Sequence, residues 1–154
     1  MDKISPFLWF NDQAEEAAKF YVSIFKNSKI NQVSRYPEGS PAAGKVMVVV
    51  FELELREYMA LNGGPQFTFS EAFSLVVHCA DQKEIDYYWD KLISGGGKPS
   101  QCGWLKDKYG LSWQVVPASI GKLVSNPATA PKVMAEVMKM TKLDLATIER
   151  AAKG

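Results

Sequence analysis

The chain has 154 residues, enough for one domain or for two small modules sharing a core. Its formal charge of +1 supplies no field that would hold nucleic acid or an anionic membrane, and its longest apolar run, Val46 to Phe51, falls far short of a membrane span. Two cysteines, Cys79 and Cys102, make no disulfide framework, and Met1 to Pro6 shows no basic-then-apolar leader. A cytoplasmic protein with free thiols is the simplest expectation, with a single bridge as the alternative.

Ile4 to Phe10 is apolar and aromatic apart from Ser5, the pattern of a strand covered on both faces. Asp12 followed by Glu15 reads as an N-cap with its capping-box partner, opening a helix to about Phe25. Ala17, Phe20, Tyr21, Ile24 and Phe25 fall on one broad apolar face of it. Ile30 to Tyr36 is a second strand, and Pro37 to Gly44 a loop by composition. Val46 to Leu55 is a long strand whose second half alternates, with Phe51, Leu53 and Leu55 on one side and Glu52, Glu54 and Arg56 on the other. A turn near Arg56-Glu57 leads into Tyr58 to Asn62, and Gly63-Gly64-Pro65 closes the first half.

Phe73 to Cys79 is again a short apolar strand. Asp81 and Glu84 repeat the cap signal before a helix that ends near Ser94, where Gly95-Gly96-Gly97 accepts the left-handed C-cap conformation. Cys102 to Pro117 reads as two strands about a tight turn bracketed by Asp107 and Gly110. Ser112 and Gln114 lie at spacing two and so share a face, and Pro117 ends the ladder. Ala118 to Gly154 is helical in pattern, with one stripe of Val133, Val137, Met138 and Met140 and another of Leu145, Ile148, Ala151 and Ala152. These helices are expected to dock on a sheet or on a second copy.

The halves overlay at an offset of sixty-nine residues: Asp12 to Glu15 on Asp81 to Glu84, Phe20 on Trp89, Ile24 on Ile93, and Phe7 to Phe10 on Val76 to Cys79. Two capped helices alone would match by chance; the flanking strands match as well. The expectation is a duplicated strand-helix-strand-strand-strand unit, one sheet per copy around a shared cavity.

Several stretches resemble a known family. They are Pro6 to Phe10, Ala14-Glu15-Glu16-Ala17 with Phe20-Tyr21, Leu61-Asn62-Gly63-Gly64-Pro65, Cys102 to Pro117, Val133-Met134, Met138 to Met140 and Lys142-Leu143-Asp144. Together they look like the PhnB-like branch of the vicinal oxygen chelate superfamily, which includes glyoxalase, extradiol dioxygenases and bleomycin-resistance proteins. The most specific part is Cys102-Gly103-Trp104 with Ser112-Trp113-Gln114; Arg56-Glu57-Tyr58 departs from the pattern, in which a glycine often marks that turn. The resemblance implies an α+β fold of two βαβββ modules, about 4–64 and 72–117, with C-terminal helices over 118–154 in a single domain, and a homodimer. The branch also carries a ubiquinone-pathway methyltransferase label, which the residues do not support: no Gly-rich turn follows the first strand, and no acidic ribose-binding residue is placed after one.

The superfamily usually holds a divalent metal with His and Glu side chains. One histidine rules out a two-His site within a protomer. The resemblance places the neutral, weakly ligating Gln114 at the usual Glu position and Leu75 at the usual His position, with His78 three residues on and on the opposite face. No cofactor is therefore predicted, and a metal shared across a dimer through His78 is the disfavoured alternative. His78 is either a general base or a satisfied strand residue. Cys102 is either a nucleophile or packing, since activation needs a neighbouring base or cation. Trp9 and Trp104 are stacking surfaces or core, and Trp113 reads as core. The pocket candidates are Gln114, Trp104, Cys102, Ser112, Trp9 and His78. The leading expectation is a metal-independent protein that binds a small molecule. The alternatives are a metal-dependent lyase or dioxygenase, and a structural or regulatory partner whose cavity is filled by side chains.

Overall fold

The run from Phe7 to Phe10 forms the first strand, β1, of a computed structural model that describes residues 2–154. The chain divides into two compact units, Met1–Phe69 and Ser70–Gly154. The first is built from β1, helix α1 (Ala14–Ile24), β2 (Lys29–Arg35), β3 (Val46–Leu53) and β4 (Arg56–Asn62). The second repeats the order with β5 (Ser74–Cys79), α2 (Gln82–Ile93), β6 (Lys98–Pro99), β7 (Trp104–Lys106) and β8 (Ser112–Pro117). It then adds α3 (Ile120–Ser125), α4 (Ala130–Val137) and α5 (Leu145–Lys153). The sheets run β1-β4-β3-β2 and β5-β8-β7-β6, with the outer pair parallel and the rest antiparallel in each. Two βαβββ modules are what the repeat predicts.

The two helices start differently. Asp81 caps α2 as expected: its carboxylate accepts from Glu84 N at 2.9 Å, and Glu84 reaches back to Ala80 N at 2.7 Å. Asp12 does not cap α1. Gln13 holds the N-cap position without a side-chain bond, and Asn62 Oδ1, from the end of β4, accepts from Ala14 N at 2.7 Å. Asn62 Nδ2 also donates to Val46 O at 3.2 Å, so one amide ties the helix start to two strands. The buried faces of the helices are Ala14, Ala17, Ala18 and Tyr21 against Ile85, Tyr88, Trp89 and Leu92. They coincide two residues beyond the sequence overlay, so Trp89 corresponds to Ala18, not to Phe20.

Leu55 is a second correction. Alternation puts it on the buried side, yet it is 73% exposed. Leu53 pairs with Arg56, which leaves Glu54-Leu55 as a two-residue hairpin loop with φ of 48° and 67°. Two-residue hairpin loops favour this left-handed geometry because it matches strand twist, whatever residues must adopt it. Leu55 N donates to Asn27 O at 3.1 Å and Glu54 N to Ser28 Oγ at 3.2 Å, which hold the loop. The first strand is also shorter than its composition suggests: Ile4 is 87% exposed.

The tail docks within the second unit. Val133, Val137, Leu143 and Ile148 bury against Val116 of β8, with Cys102 packed at the margin. Cys102 N and Gly103 N donate to Met140 O and Thr141 O, both at 2.8 Å. Gln82, the first residue of α2, donates to Leu143 O and accepts from Leu145 N, and Lys142 pairs with Asp86 at 2.9 Å. Met138, placed on the stripe by spacing, is 66% exposed.

Candidate functional site on the second sheet

The β7–β8 hairpin owes its shape to Asp107. This buried carboxylate accepts from Tyr109 N, Leu111 N and Trp113 Nε1 at 2.9, 3.1 and 2.9 Å. Charge-assisted bonds of this kind are the strong ones, so they fix both the turn and the ring of Trp113. Trp113 faces α2 and is 2% exposed, as its reading as core requires.

Trp113 on the helix side places its neighbours Ser112 and Gln114 on the helix-free side. The pairing then lays out that face in rows. Ser74, Ser112, Lys106 and Lys98 form one row across the four strands, since Ser74 pairs with Ser112, Ser112 with Lys106, and Lys106 with Lys98. Val76, Gln114 and Trp104 form the next, and His78 with Val116 a third. At the third row the tail helices cover Val116. At the first row a recess of about 250 Å³ is lined by Glu71, Lys98, Pro99, Ser100, Trp104, Leu105, Lys106 and Ser112.

Ser112 is the unusual member. It is 1% exposed, and its Oγ is the one buried side-chain polar atom without a hydrogen bond among the described residues. A buried polar group left unpaired costs about 1–3 kcal/mol, so native structures rarely keep one without a reason. Gln114 lies beside it and donates to Ser74 Oγ at 3.0 Å. Across the strand pair, Trp104 presents a half-buried ring. Lys106 forms an ion pair with Glu71, whose carboxyl its hydrogen bond holds below the usual range.

The structure therefore brings Ser112, Gln114, Trp104 and His78 to one face, His78 being exposed at its far row. Cys102 is not at the recess. It lies in the loop before β7, with φ of 60°, packed against the tail cluster. Trp9 belongs to the first unit. Leu8 and Phe10 take the helix side of β1, which puts Trp9 on the other. Its Nε1 donates to Gly64 O at 3.0 Å, and its ring meets Phe67 edge-on at 4.9 Å. A Cβ on Gly63 would come within 2.4 Å of that ring, which is why a glycine stands there. The Leu61-to-Pro65 motif thus serves the fold of its unit. Cys79, the last residue of β5, is fully buried, and burial with Glu84 and Asp81 nearby pushes its thiol up to about 12.

Sequence spacing missed Lys98, Lys106 and Glu71 as site residues. Lys106 has the parity of Ser112 only once the register is known, and β6 is two residues long. Register also corrects the metal comparison. Leu75 pairs with Trp113 and shares its face, so it cannot stand opposite Gln114; Gln114 pairs with Val76, and its amide reaches Ser74 in the neighbouring row. A hydroxyl and an amide are neutral oxygen and nitrogen groups, poor ligands for a divalent ion. Among the described residues no three His, Cys, Asp or Glu side chains cluster so as to hold one. The donor set does not fit the superfamily's metal.

A wider groove of about 720 Å³ lies in the first unit, rimmed by Asp12, Glu15, Glu16, Tyr36, Lys45 and Asn62. None of the sequence candidates lines it. No described helix is long and apolar enough to cross a membrane.

Two βαβββ units with this strand order define the glyoxalase and bleomycin-resistance fold of the vicinal oxygen chelate superfamily. The fold is shared with the fosfomycin resistance protein FosX from Mesorhizobium loti at 10% identity, over 82% of this chain and 100% of that one, with a TM-score of 0.59. A protein from Pseudomonas aeruginosa aligns at 19% identity, over 76% and 98% of the two chains, with a TM-score of 0.63. A PhnB protein from Bacillus cereus, provisionally described as a 3-demethylubiquinone-9 3-methyltransferase, is 39% identical over 75% of this chain and 99% of its own, with a TM-score of 0.68. The family model described as 3-demethylubiquinone-9 3-methyltransferase matches residues 2–116. The chain belongs to this family, the PhnB-like branch of the superfamily. No curated protein matches it.

Proposed function

We propose that the protein binds a small, partly aromatic molecule on the helix-free face of its second sheet, without a divalent metal. The observation that carries this reading is a recess lined by Trp104 and by Ser112, whose buried hydroxyl has no hydrogen-bond partner. A ligand that hydrogen-bonds Ser112 recovers the desolvation cost of that atom, and the indole supplies a flat surface for stacking. Gln114, half-buried in the next row, orients the ligand's polar edge. Methyl transfer is not part of this reading: both strand-to-helix turns, Asn11 to Gln13 and Ala80-Asp81, lack the glycines with which a nucleotide-type cofactor is cradled.

Native mass spectrometry of protein purified without added metal tests the reading, because it reports ligand and ion together. A co-purified organic ligand is the expected result, and a stoichiometric tightly held divalent ion would overturn the metal-free site. With the ligand in hand, Gln114→Ala and Ser112→Ala should each weaken binding about three- to tenfold, the equivalent of one lost hydrogen bond of about 0.5–1.5 kcal/mol, while the unfolding midpoint moves little in Gln114→Ala and rises in Ser112→Ala, which removes an unpaired buried hydroxyl. Unchanged affinity in both variants would remove the recess from the site.

The same spectrum tests a homodimer, expected at twice 17.1 kDa. Apolar side chains on the helix-free side of the first sheet, Phe7 at 52% exposure beside Met59 and Leu61, support it. The free thiols Cys79 and Cys102 support a cytoplasmic setting.

A further inference from the structure

Lys98 and Lys106 are direct cross-strand partners on the second sheet. Like charges directly opposite each other on one face are destabilising; Lys98 also protects the edge strand β6, but that role does not require Lys106 opposite it. One acidic side chain answers them. Glu71, just ahead of β5, reaches Lys106 and lines the recess, whereas Lys98 makes no ion pair among the described residues. The recess therefore carries two ammonium groups against one carboxylate, beside an unpaired hydroxyl and an indole wall.

From this arrangement we infer that the recess takes a carboxylate-bearing, single-ring planar molecule, and that Glu71 is a tethered carboxylate occupying the ligand carboxylate's place on Lys106. The inference rests on the binding site proposed above and names its ligand class. The volume of about 250 Å³ lies below the ~300–1,000 Å³ that encloses drug-sized molecules, which limits the occupant to about one ring. The ring stacks on Trp104, and the carboxylate accepts from Lys106, Lys98 and Ser112 Oγ. Glu71 is a suitable placeholder because it is displaced easily: its side chain is 62% exposed and that of Lys106 is 42% exposed, and ion pairs this wet are weak. Displacement releases Glu71 to water and leaves the better-buried ligand carboxylate between two ammonium groups.

Benzoate is the probe, with benzamide as its neutral isostere and inorganic phosphate as a second anion. The reporter is the indole ¹⁵N–¹H resonance of Trp104, assigned by its loss in Trp104→Phe. Benzoate should shift it saturably and benzamide should not. Lys106→Met should weaken benzoate at least tenfold, and Glu71→Gln should tighten it about two- to fivefold, the worth of an exposed ion pair. Benzamide binding as well as benzoate would overturn the anionic class while leaving the small-molecule site intact. Phosphate competing at equal concentration would replace carboxylate by phosphate and overturn the class as stated. Equal or weaker benzoate binding in Glu71→Gln would overturn the placeholder role. No shift with any probe, in parent or Glu71→Gln, would overturn the whole inference, whereas the site itself stands or falls by the mass spectrum.

Discussion

In the first unit the helix brings mostly alanines to a sheet that carries aromatic rings; in the second the helix itself brings the larger side chains. Ala14, Ala17 and Ala18 of α1 are fully buried near Phe51, which stacks between Tyr21 and Tyr58 at 6.4 and 5.6 Å. In α2 the helix brings Ile85, Tyr88, Trp89 and Leu92, and around one large ring, Trp113, the sheet offers Val77, Cys79, Leu105 and Val115. Interiors pack to constant density, so a duplicated fold can move volume across an interface provided the sum is kept. The same topology thus survives in two halves whose buried helix faces differ at every matched position, Ala14 against Ile85, Ala17 against Tyr88, Ala18 against Trp89 and Tyr21 against Leu92. The consequence for function is also asymmetric. The first sheet's helix-free side holds Trp9 locked against Gly63, Gly64 and Phe67, whereas the second sheet's holds an unpaired hydroxyl and a lysine pair.

The sharpest way to break this comparison is to exchange the bulk. Trp89→Ala should destabilise the protein by about 3–5 kcal/mol, because the structure around the deleted ring relaxes only partly into the cavity. Ala18→Leu, at the matching place in α1, should cost about 1–3 kcal/mol for the opposite reason, overpacking. Both are read from urea unfolding midpoints; a neutral Ala18→Leu would mean that the first unit is not tightly filled.

The caps sharpen it next. Asn62→Ala should cost about 1–3 kcal/mol, since it strips an acceptor from α1 and a donor from β3 together. Asp81→Ala should cost about 1 kcal/mol, the usual loss for a local cap. Equal effects would deny Asn62 its long-range role.

The smallest effect is at the hairpin of the first unit. Leu55→Gly should raise stability by about 0.5–1 kcal/mol: it relieves a left-handed leucine, worth roughly 1–2 kcal/mol, against the added freedom of the unfolded chain. A lower unfolding midpoint would show that Leu55 makes contacts its 73% exposure does not suggest.

Much of the fold was legible because its signals are local. Asp81 and Glu84 cap a helix within four residues, Asp107 and Gly110 close a turn within four, and alternation from Val49 to Leu53 marks a buried face wherever that strand ends up. Ser112 and Gln114 were legible as one face for the same reason. Trp104 needed the pairing to join them, and Cys102, on matching parity, was drawn off to the tail.

What the chain's own residues determined, then, is the element order, the duplication, the hairpin about Asp107 and the shared face of Ser112 and Gln114, all set by periodicities and caps that act over a few bonds. Only the tertiary structure decided that Asn62 caps α1, that Trp9 turns away from its helix, that Ser74 and not Leu75 meets Gln114, and that Lys98, Lys106 and Glu71 gather around Ser112. These depend on the register between strands distant in sequence, where a slip of one residue exchanges the two faces of a sheet.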